Sequence, residues 1–591
     1  MGLGLPQWLT PARSAAERSA QARSAQARSA SIAPPWWVAV GSAQGWQHQQ
    51  EAVTWQDDRM AIAAPHYALS PNQRFVVTGA VDNIRFSEAW ACDRGISAML
   101  EEIAAVWQRS GWEGLARLTG QFALAIWDRD QQDLWAIRDP VGAYPLYYTP
   151  QGATRWIAPR LATLRRYHAA DLNPVALRDY LCCAFVPGEQ TLWAEVCKVR
   201  PGTGVQMLSQ KVQTYWRVQE QIAAADRSLP WHGQRLRSQL ETVVQDLLPI
   251  DRPVGVSLSG GLDSSCITAL VARCHSRPVH TYSIHFGEAL PHELAFSSQV
   301  AQQYSTQHHI LEIPPQTLWQ RLPETMAQFD EPIGDPLTVP NKIIAEAAQA
   351  DVGVILNGEG GDPCFGGPKN QPMLLDTLYS TTQSQEDATA LHQYRVQAYL
   401  RSFQKCADDL SQLLRPEVLA LISGQESCFG PDLQNPSFSY LNRLMLLNIH
   451  FKGADHILTK VNNLTQSVGL VGRSPLFDPR IVALSMAIPP AYKLAGAREK
   501  AVLKAAVADI LPDSILNRPK SGMLVPVQYG FRHLWRRSAA ALLLSPRARI
   551  GDYLDRRCIR QWLTYQGDPT HRYGVKLWLL ATLEYWLQAH V

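Results

Sequence analysis

The apolar residues of this chain change rhythm near its middle. From residue 36 to about 215 they fall in short runs broken by polar turns, the pattern of strands. Residues 36–40 and 75–77 are two such runs, and 122–127 and 134–137 form a stronger pair joined by the polar turn 128–133. A different pattern starts near Pro253. Residues 254–258 predict a strand, and Ile267, Leu270, Val271 and Cys274 recur at i, i+3, i+4 and i+7 as one helix face. Strands at 279–286, 308–313 and 352–356 then alternate with helices at 292–305 and 339–350. That alternation predicts an α/β fold with a parallel sheet covered on both faces, whose ligands sit beyond the carboxyl ends of the strands. From about 371 onward the pattern is mainly helical.

The first 35 residues stand apart. Within them residues 13–30 repeat an Arg-Ser-Ala unit with arginines at 13, 18, 23 and 28, and this segment carries almost no apolar content besides alanine. A five-residue step turns about 140° on a helix, so these arginines share no face and a disordered tail is expected. The Arg/Ser/Ala bias is that of a transit peptide. A flexible tail or an early start codon are the plainer readings.

Composition narrows the class. The 591 residues are 46% hydrophobic and 18% charged, enough for two or more globular domains, and the net charge is only +3. A general nucleic-acid binder carries a stronger basic bias. No apolar run reaches membrane-spanning length. Ten cysteines include no Cys-x-x-Cys pair, so reduced thiols in a cytoplasmic protein are expected.

Two loops carry the candidate chemistry. The strand 254–258 runs into Ser259-Gly260-Gly261-Leu262-Asp263-Ser264-Ser265, followed by a predicted helix at 265–275. Glycines let the backbone approach a ligand, while hydroxyls and free helix-start N–H groups donate to phosphate oxygens. Asp263 would repel bare phosphate, so it makes sense as a Mg²⁺ ligand beside it. The strand 352–356 runs into Asn357-Gly358-Glu359-Gly360-Gly361-Asp362-Pro363. Here Asp362 is a second candidate Mg²⁺ ligand and Glu359 a candidate general base. Neither a Walker-type Gly-x4-Gly-Lys nor a Gly-x-Gly-x-x-Gly is present, against ordinary γ-phosphate hydrolysis and nicotinamide chemistry.

The first loop resembles the pyrophosphate loop of ATP pyrophosphatases, and the pair of loops resembles the asparagine synthetase family. The resemblance implies that Ser259, Gly260, Gly261, Asp263, Ser264, Ser265, Gly358 and Gly360 cradle ATP, with Mg²⁺ on Asp263 and Asp362. It implies that Glu359 takes a proton from an attacking amine. Pro363 stands where the family usually has Glu. Asp330-Glu331-Pro332 with Asp335-Pro336 resembles a family segment near the nucleotide. Arg518-Pro519-Lys520-Ser521-Gly522, after Glu499-Lys500 and Leu511-Pro512, resembles the segment bearing its catalytic lysine. Lys520 would neutralise charge on the adenylate and tetrahedral intermediate.

Residues 75–83, 118–123, 138–142 and 145–147 resemble the family's glutaminase domain, an α+β sandwich of the kind built around an N-terminal nucleophile. The implied organisation is a tail at 1–35, a glutaminase-like domain at 36–215 and a synthetase-like domain at 216–591. Gly2 stands where a working glutaminase has cysteine, and Thr78 and Ala80 replace the asparagine and glutamate of its Asn-Gly-Glu. An inactive glutaminase remnant is therefore expected.

Without internal ammonia the nucleophile would be a substrate amine, as in the family's β-lactam synthetases and lasso-peptide cyclases. Residues 360–370 look more like the lasso group. That reading implies a peptide substrate, with a leader peptidase and a leader-binding protein as possible partners. Val471 and Asn462 stand where the family has acids, which points away from free aspartate as substrate, unless this is neutral drift in a packing segment. Asparagine synthesis from ammonia is the competing enzyme reading. A non-catalytic scaffold would be favoured by loss of Asp263, Asp362 or Lys520, and all three are present.

Overall fold

The computed structural model describes residues 36–591 apart from 42–52, 86–94, 166–170, 223–226, 368–387, 496–497, 519–522 and 567–571. The arginine-rich tail, Gly2 and Lys520 thus lie outside the described residues.

The strand-rich half is two stacked antiparallel sheets of six strands each. One contains Trp37–Gly41 and Thr154–Ala158, and the other contains Phe75–Arg85, Thr119–Asp128 and Asp133–Arg138. The hairpin strands expected at 122–127 and 134–137 are both present, each slightly longer at its ends. Side chains alternate across a strand, so both faces of the second sheet can be read off the sequence. Val76, Ala80, Ala123, Ala125 and Trp127 face the first sheet. Val77, Val81, Phe122, Leu124 and Ile126 face the helix Ile96–Ala116. That helix answers with Leu100, Ile103, Ala104 and Trp107, at i, i+3, i+4 and i+7. Both faces are apolar because both are covered.

The second half holds a five-stranded parallel sheet in the order Gln307–Glu312, Val279–His285, Val254–Ser257, Val354–Leu356, Val471–Arg473. The first four strands match the expected ones within two residues. The fifth lies inside a stretch read as mainly helical, because a three-residue strand has no period to detect. Helices Leu229–Leu247 and Leu262–Cys274 pack on one face, and Pro315–Met326 and Thr338–Ala348 on the other. The chain enters at the central strand, proceeds to one edge, then returns to the other side. The strand order therefore reverses between Val254–Ser257 and Val354–Leu356, and the crevice there is where such sheets bind ligands.

Buried ion pairs join the halves. Arg473 grips Asp82 through two hydrogen bonds of 2.7 and 2.9 Å, Arg160 meets Asp330 at 2.8 Å and Lys198 meets Glu331 at 2.8 Å. The C-terminal helix Tyr573–His590 is buried along most of its length and accepts a hydrogen bond from the Tyr180 hydroxyl at Leu579 O, 2.9 Å. Among the described residues no helix is long and apolar enough to cross a membrane.

Candidate active site

The two glycine-rich loops follow the two strands that flank the reversal. Gly260 takes φ +76°, and a Cβ there would lie 2.7 Å from Ser297 N. A Cβ on Gly358 would lie 2.5 Å from Ser264 N, and one on Gly361 would lie 2.2 Å from Asp263 Cγ. A larger residue at Gly358 or Gly361 would push the loops apart. The glycines thus set the distance between the two acidic side chains.

The helix after the first loop starts at Leu262, three residues earlier than its apolar period indicates. Asp263, Ser264 and Ser265 therefore occupy its first turn. Ser264 Oγ donates to Gly261 O at 3.2 Å and accepts from Ser259 N at 3.1 Å, which closes the loop onto the helix start. Ser259 Oγ lies 3.0 Å from Ser264 Oγ and accepts from Gly261 N at 3.3 Å. The hydroxyls hold a small ring of donors at a helix N-terminus, where the macrodipole favours an anion.

These loops border a cavity of about 840 Å³. Ser259, Gly261, Asp263, Ser264, Gly358, Glu359 and Asp362 line it, as do Lys500, Lys504 and Arg518 from the helical region. Ser265 lies just behind, fully buried, with its hydroxyl unpartnered among the described residues.

Lys500 is the residue that sequence reasoning missed. It served only as a landmark before Lys520. Its Nζ sits 2.5 Å from Asp263 Oδ2 and 2.6 Å from Asp362 Oδ1, bridging the two acids. Burial works against its charge, but Asp263 and Asp362 together hold its pKa above the ordinary lysine value. Its backbone is left-handed, φ 53°, immediately before the helix Ala501–Ala506, a costly conformation for a lysine. No local signal marks this contact, since 237 positions separate Lys500 from Asp263.

Asp263 Oδ1 is buried and has no hydrogen-bond partner among the described residues. A native carboxylate oxygen left this way calls for an unseen partner. A second carboxylate, Asp362, lies across the same lysine. This oxygen donor set suits a hard divalent cation such as Mg²⁺.

Arg518 ties the far wall to the loop. It donates to Gly260 O at 3.0 Å, pairs with Glu293 and lies 4.2 Å over the Phe296 ring. The four residues that follow, including Lys520, are not among those described. Glu359 also lines the cavity, its N–H donating to Asn357 Oδ1 at 3.0 Å. Behind it Lys460 pairs with Asp335 at 2.7 Å. Burial opposes the Lys460 charge, yet Asp335 and Glu359 keep its pKa raised.

The segment 330–336 runs beside the cavity, and the residues just after it reach the lining. Asp330, Glu331 and Asp335 do not line the cavity. They are consumed by Arg160, Lys198 and Lys460 in buried pairs, and Leu337 and Asn341 from the same segment face the cavity instead. Val471 and Asn462 do not line it either. They border a separate space of about 30 Å³ between the halves, together with Ala80, Gln121 and Tyr144.

The interior of the glutaminase-like half is packed around Thr78 and Trp36. The Thr78 hydroxyl, fully buried, donates to His66 O at 2.7 Å. Trp36, 1% exposed, fills the space between the sheets before the first strand, Trp-Val-Ala-Val-Gly.

The Asparagine synthase family model matches residues 235–588, and the Glutamine amidotransferase domain model matches 97–216. Asparagine synthetase [glutamine-hydrolyzing] 1 of Bacillus subtilis is 25% identical over 459 residues, 73% of this chain and 72% of that protein. A putative asparagine synthetase [glutamine-hydrolyzing] of Mycobacterium tuberculosis is 25% identical over 533 residues, 82% of this chain and 79% of its own. Among solved structures, the allosteric regulatory enzyme of purine biosynthesis covers 49% of this chain and 76% of its own at 10% identity, with a TM-score of 0.21, too remote to bear on the fold. The first match spans well over half of the chain and takes in both acidic loops, so the chain belongs to the asparagine synthase family.

Proposed function

We propose that this ATP-dependent carbon–nitrogen ligase joins a carboxylate to an amine of its own substrate, as a lasso-peptide macrolactam cyclase does. The observation that carries the reading is a contrast within one chain. A large cavity holds Asp263, Asp362, Lys500 and Glu359, while the glutaminase-like half has a packed interior at Thr78, Ala80 and Trp36.

In this reading an acidic side chain of the peptide attacks the α-phosphorus of ATP, and pyrophosphate leaves onto the Ser259–Ser265 loop. Bound Mg²⁺ would neutralise phosphate charge beside Asp263 and Asp362. Lys500 holds these two carboxylates at a fixed separation. The peptide's N-terminal amine then attacks the acyl carbon, AMP departs, and Glu359 accepts the amine proton. An α-amine is mostly protonated at neutral pH, so a base facing it is useful. Lys520 would offset the negative charge that builds on the carbonyl oxygen. A leader peptidase and a leader-binding protein would prepare such a peptide.

Asparagine synthesis is the second reading, with ammonia as the nitrogen source; the relatives are named asparagine synthetases, of the glutamine-hydrolyzing kind. A precursor peptide offered with ATP separates the two. The cyclase reading expects AMP, pyrophosphate and a peptide lighter by one water, and no reaction once the N-terminus is acetylated. An acetylated peptide that still cyclises would refute the proposed nucleophile.

A further inference from the structure

The cavity opens beyond the carboxyl ends of the parallel strands. A second cluster sits near their amino ends. His280 is the second residue of the strand Val279–His285, and His309 the third of the edge strand Gln307–Glu312. The register sets Tyr282 opposite His309, and His280 shares the Tyr282 face two residues earlier. Asp351 reaches the same point from the turn after helix Thr338–Ala348.

His280 Nδ1 lies 3.1 Å from His309 Nε2. Asp351 Oδ2 lies 4.0 Å from the first and 3.9 Å from the second. A hydrogen bond between the rings accounts for the short distance only. It leaves the carboxylate too far from both nitrogens to bond either, yet facing both. A shared cation accounts for all three. Ligand atoms bound about 2.0–2.1 Å from a tetrahedral zinc lie about 3.3–3.4 Å apart, so small side-chain shifts would close the shell. Two imidazole nitrogens and a carboxylate are the donors that zinc-class cations take.

The surroundings support the carboxylate. The Tyr282 hydroxyl donates to Asp351 Oδ2 at 3.1 Å, an orienting contact of the kind metal ligands receive. Its ring stacks on His309 at 4.7 Å. Gly255 on the next strand makes room for that ring, since a Cβ there would lie 3.3 Å from Tyr282 Cε2. His280 is buried, whereas His309 and Asp351 keep about a third of their side-chain surface exposed, which leaves an entry path and a fourth position for water.

We propose that His280, His309 and Asp351 form a binding site for one zinc-class divalent cation, distinct from the Mg²⁺ position at Asp263 and Asp362. The site pins the edge strand to the turn at Asp351. Tyr282 links it to the larger cavity, because the same residue lines that cavity.

The test uses the full-length, tag-free chain, stripped with a chelator and dialysed against Zn²⁺ in excess Mg²⁺ to saturate the carboxylate site. One zinc per chain is expected by elemental analysis, with a higher melting temperature. Co²⁺ in its place should give the intense visible absorption of a four-coordinate centre. His309→Ala and Asp351→Asn should each weaken zinc binding at least about tenfold and remove the melting shift, and Tyr282→Phe should weaken it by about 10- to 100-fold. Both first variants change partly exposed side chains, so their metal-free melting should match that of the parent. A variant with matching metal-free melting that keeps full zinc affinity and the cobalt spectrum would overturn the assignment. So would a parent chain that takes up no zinc.

Discussion

Two sets of strands in this protein follow one rule and end differently. Strand Phe75–Arg85 of the sandwich, along residues 76–81, and strand Val254–Ser257 of the parallel sheet, along residues 254–256, are both buried and mainly apolar. In the first, Thr78 and Ala80 stand where the family resemblance leads one to expect glutamine-binding residues, and the Thr78 hydroxyl donates to His66 O. In the second, the polar residues sit past the strand end, on loops whose glycines keep a cavity open. Polar groups inside a sandwich survive only if they find partners, and replacing them with small residues costs the fold little. Polar groups beyond a parallel strand end take no place in the sheet's apolar faces and remain available for chemistry. On the proposed reading, packing closes the first region to chemistry while the second stays open.

The largest effect should come from the open site. Asp263→Asn or Asp362→Asn removes one of the two charges held by Lys500, and pyrophosphate release should fall by at least about 10³-fold. Circular dichroism should stay native, because both side chains border the cavity. Wild-type turnover in either variant would erase the distinction between the two regions.

Next is the division of labour within that site. Lys520→Ala should lower product formation by about 10²- to 10³-fold. Glu359→Gln should retain substrate-dependent exchange of pyrophosphate into ATP and make little amide, because the base serves the amine and not the adenylate. Equal loss of both signals in Glu359→Gln would move Glu359 out of that role.

The packed region is tested through stability. Ala80 is buried beside a space of only about 30 Å³. Ala80→Glu should destabilise the protein by about 2–4 kcal/mol in denaturant titration and restore no glutamine hydrolysis. A tolerated glutamate would show that the old binding space is still open.

The smallest effect is a pH dependence between the halves. His456 lies 3.4 Å from Asp335 and stacks on Phe185. Burial lowers its pKa to about 4, against the pull of Asp335. The unfolded chain takes up this proton near pH 6.5 and the folded one only near pH 4, so the unfolded state binds more protons in that window. Stability from this group is complete above about pH 6.5 and declines as pH falls towards 4. Melting temperatures over that range should slope less steeply in His456→Gln.

Much of this was legible because it was local. Alternating apolar residues foretold the hairpin at 122–127 and 134–137, and the strand–glycine–helix sequence foretold the first loop. The acidic loops come together because each follows a strand beside the reversal point, a consequence of topology that the alternation already implies. Contacts set by distant packing were illegible. Lys500 meets Asp263 across 237 positions, and Asp330 and Glu331 turn to cations of the other half, which no periodicity reports. The three-residue strand Val471–Arg473 carried Val471 into the junction between the halves for the same reason.

The central claim is that the nucleophile is a substrate amine and not ammonia drawn from glutamine. Its most direct test is purified protein with ATP and Mg²⁺, offered aspartate with either glutamine or ammonium. The measured quantities are pyrophosphate, glutamate and asparagine. The account predicts that none is formed above the rate without protein, while a precursor peptide under the same conditions yields pyrophosphate and AMP. Asparagine formed with stoichiometric pyrophosphate, and above all glutamate released alongside it, would contradict the claim.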